Sequence, residues 1–339
     1  MILPIVLFAL GLAILIVGAD IMVRGSASLA YKMKISPLII GLTIVSFGTS
    51  APELIVNIFA ALKGNADIGV GNIIGSNISN ILLILGVAAL ITPINVQNST
   101  VKKEIPLSLL AAIMVFFMAN DILFDGMSEN VLSRTDGLAL MGLFFIFLAY
   151  TFNLKNSKNN EEAPPKTYSM GISILFVLLG IGALFWGGQL LVDNAVILAK
   201  LAGLSEAFIG LTVVAVGTSL PELATSAVAA AKNQSDIAIG NVVGSNIFNI
   251  FWILGLTSTI FPLHISGQIN QDIIVCMGVT VLLFLCMFVG RKRQLERWQA
   301  GMFLVLYASY ISYLVYRGGN LYKIPHNIGN AGCNSRISL

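Results

Sequence analysis

The sequence predicts an all-α integral membrane protein of about ten transmembrane helices, in two inverted-topology five-helix repeats with helices 2 and 7 broken. Three observations predict it. The chain is 57% hydrophobic and 10% charged, against about 25% charged in a soluble domain, and its mean hydropathy is +0.89. Its apolar runs are continuous and about 20 residues long, which suits helical crossings and not alternating barrel strands. The chain also matches itself at an offset of 169 residues: 41–86 align without gaps to 210–255, with 26 identities in 46 positions.

Taken in order, the spans run approximately 3–23, 37–62, 70–92, 105–123, 135–152, 170–192, 206–231, 238–261, 272–290 and 298–316. The first has no basic segment ahead of it and no small-residue cleavage site before Asp20. It reads as a retained span, not a secretory signal. The self-match extends upstream, where Leu10-Gly11 meets Leu179-Gly180 and Gly18 meets Gly187. The organisation is therefore a first repeat over 1–153 (most similar part 41–86), a connector over 154–168, a second repeat over 169–318 (most similar part 210–255) and a polar tail over 319–339. The connector is polar and contains Pro164-Pro165, as a flexible link does.

Five spans per repeat is an odd number, so the second repeat enters the membrane from the opposite side. The copies are then related by a pseudo-twofold axis in the membrane plane, the architecture of secondary transporters, whose sites lie at the repeat interface. Orientation follows from Lys and Arg. The linkers after spans 1, 3, 5, 7 and 9 carry 13 of them and the other side 6. The positive-inside rule makes the richer side cytoplasmic, with both termini outside and the connector 154–168 inside.

The net charge of +3 is too small to suggest nucleic acid. Cys276, Cys286 and Cys333 make no disulfide framework, and His264 and His326 have no metal-ligand spacing. The chemistry lies in the doubled stretch Gly48-Thr49-Ser50-Ala51-Pro52-Glu53 and Gly217-Thr218-Ser219-Leu220-Pro221-Glu222. A carboxylate near a bilayer centre costs roughly 2.5–3.5 kcal/mol even on lenient scales. A proline there removes a helix hydrogen bond and clashes with the carbonyl four residues back.

Thr49, Glu53 and Asn57 share one helical stripe, as do Asn72, Ser76 and Asn80. The copies supply Thr218, Glu222 and Ser226, with Asn241, Ser245 and Asn249. All are oxygen-bearing, as hard cations such as Ca²⁺ and Na⁺ require, and no soft ligand accompanies them. Pro52 and Pro221 are expected to open their helices, with Gly48 easing the bend. That frees carbonyls near Ser46, Phe47 and Gly48, and near Ala215, Val216 and Gly217, to face an ion.

Each assignment has a plainer reading. Glu53 and Glu222 could be neutral or paired with a base, but no basic residue lies inside a span. The Thr and Ser hydroxyls could bond the carbonyl four residues back, and Asn80 and Asn249 could bond between helices. Asn77 and Asn246 fall off the stripe and are assigned to structure. Gly71, Gly75, Gly240 and Gly244 form small-xxx-small pairs and belong to packing. Asp20 and Arg24 read as an interfacial ion pair, and Asp67 and Asp236 as helix caps in preference to an ion-attracting mouth.

At these residues the sequence resembles the prokaryotic sodium/calcium exchangers of the cation/calcium exchanger superfamily. The resemblance rests on Gly-Thr-Ser-x-Pro-Glu at 48–53 and 217–222, with Gly-Asn-x-x-Gly-Ser-Asn-x-x-Asn at 71–80 and 240–249. It implies an antiporter in a prokaryotic inner membrane, with four ion sites in a diamond. Glu53 and Glu222 would serve both Ca²⁺ and Na⁺, and the Thr49 and Thr218 carbonyls would complete the Ca²⁺ site. Ser76 with Thr49 and the Ser46 carbonyl would form one outer Na⁺ site. Ser245 with Thr218 and the Ala215 carbonyl would form the other, while Asn80 and Asn249 line the middle. Spans 1 and 6 would slide across the rest. Archaeal relatives can carry Asp where this chain has Asn249, so two carboxylates face the centre here.

The expected function is therefore Na⁺/Ca²⁺ antiport by alternating access. It needs no enzyme chemistry, no cofactor, no nucleic acid and no partner beyond the two ions and the lipid bilayer, and a monomer suffices. The alternatives are an antiporter of H⁺ for Ca²⁺ or another divalent cation, a cation channel, and an intramembrane hydrolase. The proton-coupled branch carries Gly-Asn-x-x-Glu where this chain has Gly75 and Gly244. A channel would be built from symmetric subunits, and a hydrolase lacks its base–nucleophile pair here.

Overall fold

The computed structural model describes residues 2–153, 167–201, 215–267 and 269–321. Residues 154–166 of the connector, 206–214 of span 7 and the tail beyond 321 lie outside the described residues. Among those described, seven helices are long and apolar enough to cross a bilayer, and the bent pair Pro37–Thr49 and Ala51–Leu62 makes an eighth. Span 4 is a short helix, Ile105–Met118, prolonged backwards by a π-turn over Thr100–Glu104. Span 7 is described as Ala215–Gly217 and Leu220–Ala231.

Spans 1 and 6 outrun their hydropathy. Span 1 is Ile2–Met33 and span 6 is Met170–Leu201, 32 residues each, where the apolar runs predict ends near 23 and 192. Pro4 falls in the first turn of span 1, no proline follows in either helix, and the polar residues are accommodated along the way. Asp20 and Arg24 pair one turn apart at 2.7 Å, and Ser26, Ala27, Ser28 and Ala30 are small and buried.

The two long helices pack antiparallel through glycine. A methyl added at Gly11 would lie 2.7 Å from the Leu191 nitrogen, and one at Gly187 2.7 Å from the Leu15 nitrogen. At Gly18 it would lie 2.7 Å from the Ala183 Cβ, and at Gly180 2.6 Å from the Met22 Cβ. Backbone meets backbone along the whole crossing. The Asp20–Arg24 pair also reaches another helix: Lys232, just past the end of span 7, pairs with the Asp20 carboxylate and donates to its main-chain oxygen at 3.3 Å.

Span 3 (Ala66–Ile91) and span 8 (Ser235–Ile260) are the most buried of the crossings. Each contains a π-turn, over Asn80–Ile84 and Phe248–Leu254. Gly240 and Gly244 pack as expected: added methyls would lie 3.0 Å from the Leu38 oxygen and 2.9 Å from the Leu42 Cα. Gly71 and Gly75 instead border a cavity of about 40 Å³ shared with Asn72, Ser76, Tyr307 and Tyr310.

Span 2 bends by 45°. The break falls at Ser50 (φ −83°, ψ 8°), not at Gly48. Gly48 instead gives room to a neighbour, because a methyl there would lie 2.6 Å from Ile181 Cδ1. Pro52 and Pro221 occupy the first turns of Ala51–Leu62 and Leu220–Ala231. A missing N–H leaves nothing unsatisfied there. The proline thus starts a new helix after a break.

Two short antiparallel strand pairs, which hydropathy gives no sign of, tie the halves together at their loops. Ile94–Asn95 pairs with Gln294–Leu295, and Asn130–Leu132 with Leu263–Ile265. Asp67 and Asp236 do related work. Neither is a cap: Asp236 accepts from the Gln97 amide at 2.5 Å and Asp67 from the Ser266 N–H at 2.9 Å. Gln97 and Ser266 are one repeat apart, so each aspartate ties its span to the corresponding loop of the other half.

Candidate cation site

Glu53 and Glu222 each sit in the first turn of the helix that follows a break. The partial positive charge of a helix N-terminus favours a carboxylate there. Both are 1% exposed. Among the described residues no Lys, Arg or His pairs with either. The neutral oxygens around them come from both repeats. Ser76 donates to Glu53 Oε1 at 3.4 Å, Ser219 donates to Ser76 at 3.2 Å, and Thr218 also faces Glu53. Around Glu222, Ser50 donates to Oε1 at 3.0 Å, and Thr49 and Ser245 face the same carboxylate.

This corrects the grouping that the resemblance implies. Ser76 keeps company with Thr218 and Ser219, not with Thr49 and Ser46. Thr49 and Ser46 lie against span 8: Thr49 donates to Asn241 Oδ1 at 3.0 Å and Ser46 to the Asn241 carbonyl at 3.0 Å. Likewise Ser245 gathers with Thr49 and Ser50 at Glu222, while Thr218 donates to Asn72 Oδ1 at 3.3 Å. In span 2 the reason is the break at Ser50, which turns that residue toward Glu222 of the other repeat.

The backbone ahead of the two breaks is not the same in the two copies. The Ser46 carbonyl accepts the Ser50 N–H at 3.0 Å, so its helical partner is kept. In the second copy the Ser219 N–H turns to Val216 at 3.1 Å, so this bond does not engage the Ala215 carbonyl. The side chain of Ala215 lies outside the described residues. The plainer reading of Thr49 holds beside the functional one, since its hydroxyl also reaches the Val45 carbonyl, four residues back, at 3.1 Å.

Asn80 and Asn249 open the π-turn of span 3 and lie within that of span 8, and both are 1% exposed. Their amide nitrogens donate across the repeat interface, Asn80 to Asn246 Oδ1 and Asn249 to Asn77 Oδ1, each at 2.9 Å. Asn77 and Asn246 are therefore joined to the site residues after all. The amide oxygens of Asn80 and Asn249 are left over, and so are Glu53 Oε2, Glu222 Oε2 and Ser245 Oγ; all five are buried without a hydrogen-bond partner among the described residues. An unsatisfied buried polar atom costs about 1–3 kcal/mol. Five such oxygens suit a ligand that only accepts electron pairs, a hard cation. Among the described residues no three His, Cys, Asp or Glu side chains gather as a metal cluster.

Stripe reasoning omits Ser50 and Ser219. On a straight helix Ser50 lies one step off the Thr49–Glu53–Asn57 line, and only the break turns it toward Glu222. The available signal is its identity with Ser219 within the doubled motif.

Inverted repeats that enclose two unpaired carboxylates among neutral oxygens define a membrane transporter of cations, not an enzyme. The chain belongs to the sodium/calcium exchanger protein family, whose profile matches residues 3–153 and 172–316. Sodium/calcium exchanger MaX1 of Methanosarcina acetivorans is 30% identical over 341 residues, covering 91% of this chain and 97% of that one. Inner membrane protein YrbG of Escherichia coli is 38% identical over 296 residues, covering 84% and 89%. Among solved structures, the sodium-calcium exchanger NCX_Mj soaked without Na⁺ and Ca²⁺ superposes with a TM-score of 0.79 at 34% identity, covering 92% of this chain and 98% of that one.

Proposed function

We propose that the protein is a secondary active antiporter that exchanges Na⁺ for Ca²⁺ by alternating access to one buried site, formed by Glu53, Glu222, Thr49, Thr218, Ser76, Ser245, Asn80 and Asn249 with backbone oxygens near Ser46 and Ala215. The observation that carries the reading is the pair of buried carboxylates that have, among the described residues, no cationic side chain beside them and one open oxygen each. Sealing two bare carboxylates off from water on both sides costs several kcal/mol each. The empty carrier is therefore held back, and the cation-loaded carrier switches the side to which its site opens. One Ca²⁺ or two Na⁺ neutralise the pair, so each load can take the other's place. That is exchange, not leakage.

In this reading the protein sits in a prokaryotic inner membrane with both termini outward and residues 154–168 cytoplasmic, as the 13 to 6 bias in Lys and Arg supports. A single chain contains the whole site. A second reading, H⁺ in place of Na⁺, is favoured by one observation: Glu53 and Glu222 are acids that a proton can also neutralise.

Vesicles that hold the purified protein separate the two. Loaded with Na⁺ and diluted into Na⁺-free medium, they are expected to take up radioactive Ca²⁺ until the Na⁺ gradient is dissipated. Uptake that follows a pH gradient and ignores Na⁺ would establish the second reading. Flux without any counter-ion gradient would make the protein a channel.

A further inference from the structure

We propose that Asn77 and Asn246 are positioning residues that hold Asn80 and Asn249 oxygen-first toward the cation, and that they accept only a hydrogen-donating group at those two positions. The inference rests on the cation site described above. It comes from four hydrogen bonds among four buried amides. Asn77 Nδ2 donates to the Asn246 main-chain oxygen at 3.2 Å, and Asn246 Nδ2 donates to the Asn77 main-chain oxygen at 3.4 Å. Their own amide oxygens then receive Asn249 Nδ2 and Asn80 Nδ2, each at 2.9 Å. All four side chains are 1–2% exposed. The pattern is twofold, since 77 and 246, like 80 and 249, are one repeat apart.

The ring has a direction. Asn77 is anchored through its nitrogen, so it presents only oxygen to residue 249, and Asn246 does the same to residue 80. An amide satisfies that oxygen only by turning its own nitrogen toward it, which leaves its oxygen on the other side, where both are unpartnered. A free amide could face a cation with either end, and the nitrogen end repels it. The anchored ones present the ligating end.

An ionised carboxylate at position 249 has no hydrogen to give Asn77 Oδ1, and only its protonated, neutral form could donate there. Two oxygens would meet where the 2.9 Å bond now stands. Turning the Asn77 amide over moves the clash to the Asn246 main-chain oxygen, now 3.2 Å from Asn77 Nδ2. The ring thus keeps the middle of the site neutral and leaves its negative charge to Glu53 and Glu222.

The test is Ca²⁺ uptake by the whole protein in vesicles, with KM and maximal rate measured separately and the folded fraction assayed in detergent. Asn77→Leu and Asn246→Leu are expected to raise the KM for Ca²⁺ about tenfold, while the maximal rate per folded molecule is kept. A merely structural role would lower the folded fraction and leave KM in place. Asn249→Asp is expected to bind Ca²⁺ no more tightly than the native protein despite its added acid, because the acid is held neutral; tighter binding would overturn the donor requirement.

Asn77→Ala and Asn246→Ala remove the same acceptors without bulk and stand in if the Leu variants do not fold. Failure of all four to fold would make the ring structural and end the proposal. Glu53→Gln separates the two levels. If it is inactive and Asn77→Leu keeps the native KM, the positioning role falls and the site stands; if Glu53→Gln transports normally, the site reading falls and takes this one with it.

Discussion

The Ser50 hydroxyl donates to the Glu222 carboxylate at 3.0 Å across a sequence separation of 172 residues. The first half of the protein thus lends a donor to the acid of the second. Ser50→Ala removes that donor and adds no bulk. It should weaken Ca²⁺ by about 1 kcal/mol, or about fivefold in KM. Concentration dependence of vesicle uptake measures it, and a native KM would show the contact to be idle.

Glu53→Gln and Glu222→Gln should each reduce exchange at least about a hundredfold while the protein folds. In the ion-free protein two buried carboxylates stand close with no cation, a costly arrangement that a neutral isostere relieves. The thermal midpoint without ions is therefore expected to hold or rise in either variant. The rise in midpoint that Ca²⁺ gives the native protein should vanish. A large fall in ion-free stability would argue that the carboxylates are structural.

Gly18→Leu places a side chain where a single methyl already lies 2.7 Å from the Ala183 Cβ. Overpacking of this kind costs about 1–3 kcal/mol. Detergent-solubilised protein should melt earlier. Gly142, where an added methyl meets nothing within 4 Å, is the control position, and its Ala variant should melt like the native protein.

Two ion pairs of the same chemistry should differ in worth. Asp272 is 9% exposed and takes Arg317 Nη2 at 2.8 Å and the Tyr310 hydroxyl at 3.1 Å. Asp272→Asn leaves a part-buried guanidinium unmatched and should cost about 2–4 kcal/mol. Asp20 is 30% exposed beside Arg24 and Lys232, and Asp20→Asn should cost about 0–1 kcal/mol. Thermal melts of the two variants side by side decide it; equal losses would mean that burial does not set the scale here.

Much of this was legible in the sequence because it is local or repeated. Apolar runs announce the spans, and the doubled motif announces Glu53 and Glu222 as a pair. What escaped depends on departures from a straight helix. Ser50 reaches Glu222 only because span 2 breaks at that residue. Asn77 looks idle on a helical wheel, yet it meets Asn249 of the opposite repeat. Asp67 and Asp236 look like caps until the loops they hold are in place. Span 1 outruns its apolar stretch because Asp20 and Arg24 satisfy each other on the helix.

The length of spans 1 and 6 makes the lipid a participant. Each has 32 residues, about 48 Å of helix, against a hydrocarbon layer of about 30 Å. Such a pair either lies oblique or stands proud of the layer, and the thickness of the membrane selects between the two. Because the glycine seam joins the two helices closely, they adjust as one body. The fit of that body to the membrane is therefore set by acyl chain length, a property of the lipid that no residue of the ion site encodes.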